Sequence, residues 1–85
     1  MRRDYVKLGV YETLRAQCVD YGIRYSKISE NMTLADFGFD SLDAIDISVA
    51  IDERYDIETD YETFTNGHTV GEIIDHIKKL IDAKV

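Results

Sequence analysis

Asp36-Phe37-Gly38-Phe39-Asp40-Ser41-Leu42-Asp43 is the stretch on which the reading of this chain turns. Gly38 supplies a turn between two aromatic residues, and an acidic helix starts directly after it. Asp40 and Asp43 stand three apart, the spacing of a capping box, with Asp in place of the preferred Glu or Gln at the second position. With Asp40 as N-cap, Ser41 falls in the first turn and its hydroxyl is not needed for capping; Ser41 as the cap is the alternative. A lone serine there, with no base beside it in sequence, suits a residue that is modified better than one that attacks.

The helix is expected to run to Tyr55, and it carries two apolar stripes. At about 100° per residue, Leu42, Ile45 and Val49 share one side. Ile47, Ile51 and Tyr55 fall nearly opposite. A surface helix of a small bundle needs one such stripe. Asp46 and Glu53 lie close to the axis of the first stripe, with Asp43 and Asp52 at its edges, and unpaired charges are rarely buried. Ile47, Ile51 and Tyr55 are therefore assigned to the core. Leu42, Ile45 and Val49, with Asp43, Asp46, Asp52 and Glu53 around them, are assigned to a partner-facing surface.

Upstream, Leu8, Tyr11, Leu14, Cys18 and Tyr21 recur at helical spacing, which predicts a helix over 4–21 stopped by Gly22. Residues 23 to 39 form a long connection too apolar to hang free, with Ile23, Ile28, Met32, Leu34 and Phe37 expected to pack across the bundle. Downstream, a short helix is expected over 60–65, ended by Asn66-Gly67. Thr69 then caps the last helix with Glu72 completing the box. Ile73, Ile74, Ile77, Leu80 and Ile81 form its buried stripe, and Lys78, Lys79 and Lys84 near its end suit the helix dipole. Strand signals are nearly absent. The expected fold is all-α: a small four-helix bundle of three main helices and a short third one, with a long packed loop between the first two.

Eighty-five residues, 45% apolar and 32% charged, suit one small globular domain over 1–85. No signal-peptide pattern and no membrane-length apolar run is present, and Cys18 has no partner for a disulfide, so a cytoplasmic setting is expected. The net charge of −7 is unevenly spread. Residues 1 to 27 balance at +3, whereas residues 36 to 62 hold ten acidic groups against Arg54 alone. Such a block repels nucleic acid and anionic membranes and attracts basic protein surfaces.

A calcium loop over 52–63 fails, because Arg54 holds a ligand position, Ile57 replaces the required glycine and Thr63 the final Glu. His68 and His76 are distant in sequence from Ser41, so no catalytic residues are expected and the chain is not read as an enzyme. Cys18 and the two histidines lack ligand spacing, so no metal site is expected. Cys18 reads as core.

Gly38-Phe39-Asp40-Ser41-Leu42-Asp43, the acidic helix ending Asp52-Glu53-Arg54-Tyr55-Asp56-Ile57-Glu58, and the Thr69-Val70-Gly71-Glu72 start of the last helix together resemble the acyl carrier protein family. The resemblance spans nearly the whole chain. It implies that Ser41, flanked by Asp40 and Leu42, accepts 4′-phosphopantetheine from coenzyme A through a separate phosphopantetheinyl transferase. The arm's thiol would hold acyl groups as thioesters for fatty acid, polyketide or related enzymes with basic surfaces, the chain acting as a free-standing monomer. Peptidyl, aryl or D-alanyl carriers, or an unmodified adaptor of the same fold, are the alternatives. Two features depart from the family pattern. Phe37 and Phe39 flank Gly38 where small or aliphatic residues are usual, and Thr59-Asp60 stands where an apolar residue and a proline are expected. Six tyrosines further suggest a narrower or more polar interior.

Overall fold

The computed structural model describes residues 2–20, 27–65 and 67–84. It consists of α1 (Arg2–Asp20), a 3₁₀ turn (Leu34–Phe37), α2 (Ser41–Tyr55), a single-turn α3 (Glu62–Thr65) and α4 (Val70–Ala83). The all-α expectation holds: among the described residues the only extended pairing is an isolated bridge between Thr33 and Thr69. No helix among them is long and apolar enough to cross a membrane.

The face that α1 buries differs from the expected one. Val6, Val10, Leu14 and Cys18 line the core, while Leu8 is 56% exposed and Tyr11 is only partly covered. Steps of four residues drift by about 40° per step, so Val6 to Cys18 stay on one side and Leu8 is carried about 200° away from Val6. The true and the expected stripes share Leu14 and Cys18, which is why both looked helical. Gly9 lies in the same seam and lets α2 come close, since a Cβ there would meet the Tyr55 hydroxyl oxygen at 1.8 Å. Tyr21, Gly22 and Ile23 lie outside the described residues.

The connection from α1 to α2 packs as expected. Ile28, Leu34, Phe37 and Phe39 are buried and Met32 leans on the core. It also completes α4: Met32 O accepts the Val70 N–H at 2.7 Å and Glu30 O accepts that of Gly71 at 2.9 Å. Two donors that a helix N-terminus leaves without partners are thereby satisfied by the loop. Arg3 holds the loop from the other side, pairing with Glu30 and, at 2.7 Å, with Asp75 of α4.

Thr69 caps α4 as expected, its hydroxyl accepting from Glu72 N at 3.2 Å while Glu72 Oε1 accepts from Thr69 N at 2.9 Å. Ile73, Ile74 and Ile77 are fully buried, with Leu80 and Ile81 half-buried toward the end of the helix. Lys84 does not serve its own helix. Its ammonium donates to the carbonyls of Tyr55 (3.2 Å) and Asp56 (2.5 Å), closing the C-terminus of α2. The short α3 begins two residues later than expected, because Asp60 Oδ1 accepts the Glu62 N–H at 3.0 Å and so stands ahead of the turn. Asn66 lies outside the described residues. Gly67 follows with φ 74°, a left-handed turn that glycine adopts without strain.

Candidate functional site

The cap of α2 leaves Ser41 uncommitted. Asp40 is the N-cap, and its Oδ1 accepts from Leu42 N at 3.0 Å and Asp43 N at 3.1 Å. Asp43 Oδ2 returns the contact, accepting from Asp40 N at 2.8 Å. The capping box is complete without the serine, so the alternative of Ser41 as cap is set aside. Ser41 is the first residue of the helix and exposed. Gly38, with φ 81°, turns the chain into this position, and its N–H donates to Ala35 O at 2.9 Å.

Beside Ser41 lies a cavity of about 250 Å³ that Ser41 itself helps to line. Leu34, Phe39 and Phe64 give it apolar walls, and Thr33, Thr65 and His68 give it polar ones. Phe39 is buried and stacks on Phe37, ring centres 5.4 Å apart, so one ring of the unusual aromatic pair faces the cavity and the other backs it. His68 was not expected here. It reaches the cavity from the turn at Gly67, directly before the cap of α4. Its Nδ1 stands 3.7 Å from Glu72 Oε2. A sequence signal for this existed in Asn66-Gly67, a turn placed directly before the histidine, but not the direction in which it turns. His76, on α4, does not line this cavity.

The two faces of α2 separate as expected. Ile47 and Ile51 are 1% and 0% exposed, whereas Leu42, Ile45 and Val49 are 70%, 40% and 49% exposed. The acidic groups assigned to that outer face divide, however. Asp46 and Glu53 are exposed. Asp43 is 8% exposed with its carboxylate on the Asp40 N–H, a correction to its expected role at the surface. Asp52 is half-buried and turns toward residue 59, its Oδ1 accepting from Thr59 N at 2.9 Å and Thr59 Oγ1 at 2.7 Å. Thr59 Oγ1 also meets the buried Ser48 hydroxyl at 2.8 Å. The Thr59-Asp60 departure thus has a use: each residue holds a neighbouring backbone or side-chain group. Among the described residues, interior polarity comes from Ser48, Thr59 and the single buried tyrosine, Tyr55, while Tyr5 and Tyr61 are exposed. Cys18 is fully buried and its thiol is pushed up by that burial, far from thiolate chemistry.

The profile of a family described as a phosphopantetheine attachment site matches residues 18–77. The chain is 35% identical over 54 residues to polyketide synthase 2 of Metarhizium acridum, a stretch covering 64% of this chain and 3% of that protein. It is 42% identical over 48 residues to the mitochondrial acyl carrier protein of Saccharomyces cerevisiae, covering 56% of this chain and 38% of the relative. With the acyl carrier protein of Clostridium acetobutylicum it shares 32% identity over 71 residues, 81% of this chain and 92% of the relative. The chain thus spans only a small part of the first relative and under half of the second. No solved structure matches it significantly.

Proposed function

The chain belongs to the acyl carrier protein family and is a phosphopantetheine carrier, and on that premise we propose that Ser41 is its attachment residue within a single carrier domain over 1–85. The observation that carries this reading is the cap: Asp40 and Asp43 satisfy the helix start between them and leave an exposed hydroxyl beside a cavity. These residues fit the group. A phosphodiester on Ser41 Oγ would stand at the N-terminus of a 15-residue helix, where the dipole favours an anion by about 0.3–1 kcal/mol. Asp40 opposes it, although two backbone N–H groups already compensate that carboxylate.

In the transfer, Ser41 Oγ forms a bond to the phosphorus of coenzyme A as the pyrophosphate P–O bond breaks. The serine proton passes to the transferase, and adenosine 3′,5′-bisphosphate leaves. When bound, 4′-phosphopantetheine supplies a thiol that holds acyl groups as thioesters. The chain's own residues supply the place and the address. Leu42, Ile45 and Val49 offer an apolar stripe, and Asp46 and Glu53 mark it with charge for partner enzymes that are basic, giving fast and salt-sensitive association. Phosphopantetheinyl transferase and acyl-building enzymes of fatty acid or polyketide synthesis are the partners this supports, in keeping with the kinds of relative found.

The test is intact mass after incubation with coenzyme A, magnesium and a broad-specificity transferase. Gain of one phosphopantetheinyl group, absent from Ser41→Ala, is the expected result. A folded chain that gains nothing beside a working control overturns the reading.

A further inference from the structure

The cavity beside Ser41 has a chemistry of its own, with His68 on its polar side and Glu72 behind the ring. Glu72 is fixed by the cap of α4, one carboxylate oxygen on the Thr69 N–H at 2.9 Å. The other oxygen faces His68 Nδ1 at 3.7 Å. A carboxylate on one side of the ring orients the imidazole and leaves Nε2, the nitrogen on the other side, open to a partner. His68 lines the same cavity as Ser41, and Phe39, Phe64 and Leu34 make the opposite, apolar walls.

We propose that this cavity seats the proximal part of the arm attached at Ser41, with His68 as a positioning residue that donates to the phosphodiester. The inference rests on Ser41 being the attachment residue. The ligand chemistry matches the walls: an anion next to the serine, then a quaternary carbon bearing two methyl groups, then a hydroxyl and an amide. The methyl groups find Phe39 and Phe64, and the anion finds an imidazole N–H. A volume of about 250 Å³ suits a piece of this size, and the remainder of the arm with its cargo extends beyond it. Other charges face His68. Asp40 shares the cavity wall, and Glu72, Asp75, His76 and Lys79 share a second, more open hollow on its far side. Of these, Glu72 is the one in ion-pair range of the ring, 3.7 Å away. The consequence is an arm held at its root, not a tether free from its first atom.

Histidine-labelled protein is loaded with coenzyme A by the transferase, loading is followed by intact mass, and the loaded form is studied by NMR. Contacts between the ring protons of His68 or Phe64 and the arm's geminal methyl groups are expected, together with a displaced ³¹P resonance in His68→Gln. Glu72→Gln keeps an acceptor for the Thr69 N–H but removes the charge behind the ring, and is expected to weaken the same contacts. Mass gain with no such contacts, or with a ³¹P resonance indifferent to His68→Gln in a protein whose remaining amide spectrum is unchanged, overturns this inference alone. Failure to gain mass overturns it together with the Ser41 reading.

Discussion

The hydroxyl of Tyr55 occupies the space that a side chain on Gly9 would need, and from there it donates to Val6 O at 3.2 Å. This places the end of α2 directly on the backbone of α1. Burial pushes the Tyr55 phenol up from its ordinary value, as expected of a group held away from water. Tyr5 adds an edge-on ring contact at 5.4 Å.

Gly9→Ala is therefore expected to destabilise the bundle by about 1–3 kcal/mol, the usual cost of overpacking a filled seam. Tyr55→Phe should cost about 0.5–1.5 kcal/mol through the lost hydrogen bonds. Urea unfolding of both variants checks this. A Gly9→Ala midpoint equal to that of the parent would show that α1 and α2 can separate freely.

Acid should loosen the grip of α1 on the loop. Arg3 and Lys7 draw the Glu30 carboxyl down to about 2, the guanidinium of Arg3 being the larger cause. The folded value lies below the unfolded one, so the contribution is fully present above the unfolded value of about 4.3 and is lost as pH falls from there toward 2. Both partners are about a third exposed, so the effect is held to about 1 kcal/mol. Melting temperatures of the parent and Glu30→Gln should differ near pH 6 and converge near pH 2; a constant gap between them would contradict the assignment.

The split among acidic residues on α2 separates recognition from folding. Asp46→Asn with Glu53→Gln should slow modification by the transferase at low salt, on the order of 3- to 10-fold, and flatten its salt dependence while leaving stability nearly unchanged. Asp43→Ala should do the reverse, costing about 1 kcal/mol as a lost cap contact. Initial rates of loading against sodium chloride concentration, alongside unfolding midpoints, distinguish the two effects.

The apolar stripes of the same helix should divide in the same way. Ile51→Ala is expected to cost about 2–5 kcal/mol, because Ile51 is fully buried. Val49→Ala, at 49% exposure, should cost under about 1 kcal/mol and instead raise the KM of the loading reaction. Equal unfolding costs would mean that the outer stripe is also core.

Millimolar magnesium should raise the melting temperature more than sodium chloride of equal ionic strength, since ten acidic groups over residues 36–62 repel one another. Equal effects would reduce the interaction to simple screening.

What could be read in advance was what depends on near neighbours. The Asp40–Asp43 and Thr69–Glu72 boxes are contacts three residues apart, and the structure forms both. The two faces of α2 followed from periodicity with charges marking which one stays wet. The α1 face was misassigned because two stripes share Leu14 and Cys18, and only Gly9 against Tyr55 decides between them. That contact spans 46 positions and leaves no local trace. His68 beside Ser41 escaped for the same reason. Asp43 illustrates a subtler gap: a box partner cannot also be a free surface charge, yet its spacing from Asp40 assigned it to the box while helical periodicity assigned it to the outer face.

The hydroxyls of Ser48 and Thr59, joined to each other and to Asp52, close the gap between α2 and the segment before α3 like a zip with polar teeth. Parting them would leave a buried serine without a partner, at about 1–3 kcal/mol. Two hydroxyls and one carboxylate thus decide how firmly the segment before α3 is held against the helix.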